Sequence, residues 1–208
     1  MILKILQAGA TPLRQESRPL SAGEIVSAPI QQLIEWMRET MLDAPGVGLA
    51  APQVGLPIQL AVIEDRPENL KDLNPERLAE RERKPVPFQV IINPRISSNG
   101  AISEFFEGCL SIAGFTALVS RARTVTVECL NERAEPVRIE ATGWHARILQ
   151  HEIDHLHGRL YIDRISPRSF MTVENYTRHW KDAPVQEVKK ALGISDSPTA
   201  QTSPAPAL

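Results

Sequence analysis

The chain has 208 residues, 42% of them hydrophobic, and a formal net charge of −2, enough apolar material for a well-buried domain and too little positive charge for a nucleic-acid binder held by a broad basic surface. No apolar run approaches the roughly 20 residues of a membrane span, and residues 1–14 lack the basic and then apolar regions of a signal peptide, so the expectation is a cytoplasmic protein with no membrane partner. Two cysteines, Cys109 and Cys129, are too few for a secreted disulfide framework.

In chain order, residues 2–20 mix Pro12, Pro19 and charges and read as extended loop. Ser27 is placed to cap a helix whose stripe of Ile30, Leu33, Ile34, Met37 and Met41 faces the core. The helix ends near Asp43-Ala-Pro-Gly46, and a small, apolar, glycine-punctuated stretch follows around one amide, Gln53. Its spacing matches neither a dinucleotide fingerprint nor a P-loop. Residues 58–63 predict a strand. Residues 64–87 form a charged insertion with a short helix near Glu76–Arg83, expected to be a solvated surface excursion. Phe88–Ile92 predicts a strand, Asn93-Pro94 a turn, Ala101–Phe106 another strand, and Glu107–Ser111 a glycine-loosened segment that presents Cys109. A hairpin is predicted around residues 131–134, with Val125, Val127 and Cys129 on the buried face of its first strand.

The next segment carries the chemistry. His151-Glu152-Ile153-Asp154-His155 is the H-E-x-x-H pattern, and on a helix the two imidazoles lie about 40° apart on one face with Glu152 at its edge. Thr142 can cap this helix, Gly158 can end it, and no proline interrupts residues 144–156. A catalytic metal site needs a third protein ligand and an open position. His145 and His157 each lie six residues from His151, about 120° round the helix, so neither joins it readily. Cys109, a thiolate donor for zinc or ferrous iron, is the best remaining candidate. Residues 184–192 predict a short helix in a C-terminal extension spanning 169–194, and the Ser/Pro/Ala-rich residues 195–208 predict a disordered tail. With no internal repeat, an α+β domain over residues 1–168 is the simplest organisation.

Gly46-Val-Gly-Leu-Ala-Ala-Pro-Gln53, Glu107-Gly-Cys-Leu-Ser111 and Gln150-His-Glu-Ile-Asp-His155 together, in that order, resemble the three motifs of the peptide deformylases. The resemblance implies antiparallel sheets packed around a central metal-ligand helix, with a divalent ion held by Cys109, His151 and His155. That ion is natively ferrous iron in the family, with zinc, nickel or cobalt as alternatives. It also implies Glu152 as general acid and base, Gln53 and the Leu110 amide as oxyanion donors, and removal of formate from N-formylmethionyl nascent peptides. The methionine pocket would lie near Val47, Trp144 and Ile148, with Gly48 offering backbone hydrogen bonds and Glu107 pairing with Arg121 to brace the cysteine loop; the ribosome is a further partner the resemblance raises. Thr116 stands where many bacterial members carry an arginine, a version nearer the organellar type, and Pro45 stands where many carry an acidic residue. A zinc endopeptidase using the same helix, and a non-catalytic, metal-stabilised peptide-binding protein, are the alternative readings.

Overall fold

The computed structural model describes residues 1–71 and 73–195. The predicted disordered tail lies, beyond Ser195, outside the described residues. The chain opens with a helical turn at Thr11–Arg14, a short helix α1 (Ala22–Ile25) closed by a Ser21/Glu24 capping box, and the long helix α2 (Ala28–Asp43). Ser27 sits at the start of α2, but its hydroxyl donates back to the Glu24 carbonyl at 2.6 Å instead of capping. Leu33, Ile34, Met37 and Met41 are buried as the stripe predicts, packed with Leu49, Leu60, Val62 and Ile92.

Strand β1 (Gly48–Ala50) is followed directly by a helical turn, Ala51–Val54, and then by β2 (Leu60–Asp65). After the charged insertion, which contains α3 (Pro75–Glu80), come β3 (Val86–Cys109), β4 (Ile112–Leu130) and β5 (Pro136–Thr142). They pair antiparallel in the order β1-β2-β3-β4-β5. The fold class is therefore the expected α+β.

The expected turn at Asn93-Pro94 is not a turn. β3 runs through it, and the register against β4 shifts between Ile92 and Arg95. Asn93 takes φ of 50° and its side chain bonds both polar groups of the Leu20 backbone, at 2.9 and 2.7 Å, so a bulge absorbs the proline that lacks a ladder donor. The reversal falls instead between Cys109 and Ile112, which pair across a tight turn.

Helix α4 (Gly143–Leu156) lies across the sheet. Its apolar positions Ile148, Leu149, Ile153 and Leu156 are buried with Ile63, Ile91, Val125, Val127 and Cys129, and each such side chain contributes about 1.5–3 kcal/mol. Thr142 does not cap it; the Trp144 N–H donates to the Arg81 carbonyl at 2.9 Å. Gly143, at φ of 56°, is required there, because a Cβ would stand 2.5 Å from the Glu82 Cβ. The charged insertion is thus seated on the start of the ligand helix.

Past α4, β6 (Met171–Thr172) pairs with Phe115 and Thr116 of β4. Helices α5 (Val173–His179) and α6 (Val185–Leu192) pack on Phe106 and Leu118 through Tyr176, Trp180 and Val188. The sequence reading did not anticipate β6 or α5.

Candidate metal centre

Cys109 ends β3, one residue before the turn, while His151 and His155 project from successive turns of α4. Their ligand atoms all lie within 4.8 Å of one another, and Cys109 Sγ is 3.3 Å from His155 Nε2. Bonds of about 2.0–2.3 Å to a tetrahedral ion put its ligand atoms roughly 3.3–3.8 Å apart, so the three donors fit a divalent metal with a fourth position left for water or substrate. One thiolate and two imidazoles suit zinc or ferrous iron. Among the described residues, His145 and His157 fall outside this group: His145 faces Gln89, and His157 pairs with Glu16 at 2.5 Å.

A buried carboxylate braces the donors. Glu107 Oε2 lies 3.0 Å from His151 Nδ1, which directs the Nε2 of that ring towards the site. Arg121 grips Glu107 with two hydrogen bonds, at 2.7 and 3.0 Å, and reaches Asp154 of α4 with a third at 2.7 Å. The cysteine strand and the ligand helix are thereby tied by one guanidinium. Arg147 adds a 2.5 Å bond to Glu107 and was missed in the sequence; its position one helical turn before His151 was the available signal. Although burial opposes ionisation, the Arg121 charge and the hydrogen bonds from His151 and Arg121 hold the Glu107 carboxyl well below the usual range. Burial would likewise lower His151, yet Cys109 and Glu107 raise it.

Gln53 enters from the turn after β1. The Ala50 N–H donates to its Oε1 at 2.8 Å, which aims Nε2 at Ser111 Oγ (3.2 Å) and Cys109 Sγ (3.6 Å). The Ser111 N–H also points at the sulfur, at 3.4 Å. Glu152, buried beside both imidazoles, is pushed up to about 7 by burial, against the pull of His151 and Arg121. It lies directly against β1, since a Cβ on Gly48 would stand 2.2 Å from Glu152 Oε1.

Cys109, His151, Gln53 and Glu152 open on one cavity of about 720 Å³, whose walls also include Val47, Gly48, Leu110, Trp144 and Ile148. The size is that of a ligand pocket. Arg81 and Arg83 of the charged insertion also line it, their guanidinium carbons 5.0 and 5.2 Å from the Trp144 ring. The expectation of a purely solvated excursion is corrected there: seating on Trp144 carries two of its cations to the cleft. Another, more polar cavity of about 480 Å³ lies behind Arg121 and Asp154 and holds none of the candidate ligands.

Among known proteins, residues 2–170 match the family model described as polypeptide deformylase. The chain is 45% identical to the chloroplastic peptide deformylase 1A of Solanum lycopersicum over 82% of its own length and 62% of that protein's. It is 41% identical to peptide deformylase 3 of Streptomyces avermitilis, covering 93% of this chain and 84% of that one. The fold superposes with a TM-score of 0.70 on the Met-Ala-Ser-bound class I type b peptide deformylase of Acinetobacter baumannii, 33% identical over 79% of this chain and 99% of that chain. The chain belongs to the polypeptide deformylase family.

Proposed function

We propose that this chain removes the formyl group from N-formylmethionyl peptides, using Cys109, His151 and His155 as ligands to one divalent metal, with ferrous iron as the native ion and zinc, nickel or cobalt as substitutes. The observation that carries the reading is a buried carboxyl, Glu152, raised to about 7 and lining the same cavity as Cys109 and His151, two members of the three-donor group. When bound, the ion supplies Lewis acidity and brings the pKa of water towards about 7. Glu152 takes the proton from the attacking water as the new C–O bond forms at the formyl carbon. Gln53 Nε2 and the Leu110 N–H donate to the developing oxyanion. Glu152 then passes its proton to the amide nitrogen as the C–N bond breaks, leaving formate and a free amino terminus. Val47, Trp144 and Ile148 receive the methionine side chain, and the backbone of Gly48, on the edge strand β1, holds the peptide as an added strand.

The test is formate release from a formylmethionyl peptide, with internal cleavage of unformylated peptides assayed beside it. Replacing Glu152→Ala should abolish turnover with one equivalent of metal retained. Peptide cleavage without formate would favour the endopeptidase reading, and unchanged turnover would remove Glu152 from the chemistry. Among the described residues no helix is long and apolar enough to cross a membrane. The cytoplasm is the compartment we propose on the composition, and ribosome association, assigned to the C-terminal extension, is checked by co-sedimentation.

A further inference from the structure

The opening segment of the chain carries none of the three motifs, yet it bonds to two of the segments that build the site. The Leu6 N–H donates to the Gln53 carbonyl and the Ala8 N–H to the Ser111 carbonyl, each at 2.8 Å. Between them, the Gln7 side chain spans the cysteine turn. Its Nε2 donates to the Leu110 carbonyl at 3.0 Å, and its Oε1 accepts from the Ala113 N–H at 3.3 Å. A primary amide serves both ends of the turn at once because it carries a donor and an acceptor on one plane.

The bond to Leu110 is felt on the far side of that peptide. Among the described residues no peptide bond is cis, so the unit joining Leu110 to Ser111 is a plane whose C=O and N–H point opposite ways. Its carbonyl meets Gln7, and its N–H, that of Ser111, meets Cys109 Sγ at 3.4 Å. Rotating this plane away from Gln7 would take the N–H off the sulfur. The two bonds also share one peptide dipole, and a donor on the carbonyl strengthens the N–H as a donor in turn.

The sulfur has a second amide neighbour, Gln53 Nε2 at 3.6 Å, but in the proposed reaction that group turns to the oxyanion. The Ser111 N–H is then the donor that stays on the thiolate. A hydrogen bond to a coordinating sulfur withdraws charge from it, which weakens its donation and leaves the ion a stronger Lewis acid.

We infer that Gln7 is a positioning residue: by holding the Leu110 carbonyl it fixes the Ser111 N–H on Cys109 Sγ, and thereby sets how strongly the thiolate donates to the metal. This role rests on Cys109 being a ligand, as in the deformylase reading. Gln7 is not among the residues that line the cavity, so it acts through the cysteine turn and not on the substrate. Its side chain is exposed, and replacing it buries no new group.

The experiment loads the full chain with cobalt, whose bond to a thiolate gives a charge-transfer band in the near ultraviolet, and compares the wild-type protein with Gln7→Leu and Gln7→Glu at neutral pH. Gln7→Leu removes both hydrogen bonds. Gln7→Glu keeps the acceptor for Ala113 and loses the donor to Leu110, which separates orientation of the peptide from simple bracing of the turn. In both variants the band should move to longer wavelength, because a thiolate without its hydrogen bond gives up charge more readily. In both, kcat for formate release should fall about tenfold, the low end for a group that supports a metal ligand, with KM and melting temperature unchanged. A band unmoved in both variants overturns the role of Gln7 and leaves the deformylase reading standing. A shift in Gln7→Leu that Gln7→Glu does not share overturns it as well, since Gln7 would then be a brace alone. Formate release from a wild-type protein with no cobalt–thiolate band removes Cys109 as a ligand and the role of Gln7 with it. Absence of formate from any peptide sinks the deformylase reading, while a band shifted in both variants would still uphold Gln7.

Discussion

Glu107 Oε2 stands 3.0 Å from His151 Nδ1, and the same carboxylate holds Arg121 and Arg147. A single buried charge therefore orients a candidate ligand and balances two guanidinium groups. Replacing Glu107→Gln should cost about 3–5 kcal/mol, because Arg121 and Arg147 are left buried without their counter-charge. It should also weaken metal binding by about 10–100-fold, since His151 loses the group that fixes its ring. Denaturant unfolding and chelator competition read the two effects separately; an unchanged metal affinity would deny Glu107 its orienting role.

Gly48 and Glu152 are in contact in a way only glycine permits. With a Cβ 2.2 Å from Glu152 Oε1, Gly48→Ala must displace either β1 or the carboxylate. A displacement of about 1 Å at a catalytic group can cost on the order of 100-fold, so kcat/KM for formate release should fall by about that much. Metal content, measured by elemental analysis, should remain at one equivalent, because the three heavy atoms nearest to an added Cβ all belong to Glu152 and none to Cys109, His151 or His155. A fully active Gly48→Ala enzyme would refute the contact.

Removing the ion should destabilise the fold, because the donors come from β3 and α4 and the metal cross-links them. With free metal at about 100 times its dissociation constant, loading is worth about 2.7 kcal/mol. Thermal melts with and without chelator should therefore differ, and the difference should shrink in Cys109→Ala. Coincident melts would argue that these residues do not bind a metal.

His145 supplies a pH dependence remote from the ligands. Burial lowers its pKa below the ordinary 6.5, so the unfolded chain binds the extra proton first as pH falls. The cost to the folded state is absent above the unfolded pKa of about 6.5 and grows below it. His145→Asn should accordingly lose less melting temperature than wild type between about pH 7.5 and about pH 5.5. Equal losses would show that His145 is solvated when charged.

In the core, Leu149 is fully buried on the sheet side of α4. Leu149→Ala should cost about 2–5 kcal/mol, read by denaturant midpoint at unchanged slope.

What the sequence determined by itself was local. The rotation of an α-helix alone puts His151 and His155 on one face and excludes His145 and His157, and the spacing of Leu33, Ile34, Met37 and Met41 alone fixes the buried side of α2. Ligand chemistry made Cys109 the best third donor, and the resemblance of three motifs then supported it and added Gln53, both from positions far along the chain. Only the tertiary structure decided the rest. Cys109 meets His155 across 46 residues of separation through the register of β3 on β4, and that register depends on bulges that no periodicity announces. The same long-range pairing set Arg147 against Glu107, drew Arg81 and Arg83 from an apparently solvated insertion to Trp144, and brought Val173 and Tyr176 to the cleft. Asn93-Pro94 shows the limit most plainly: a pair with turn chemistry stayed within a strand because Leu20, distant in sequence, supplied the partner that makes a bulge stable.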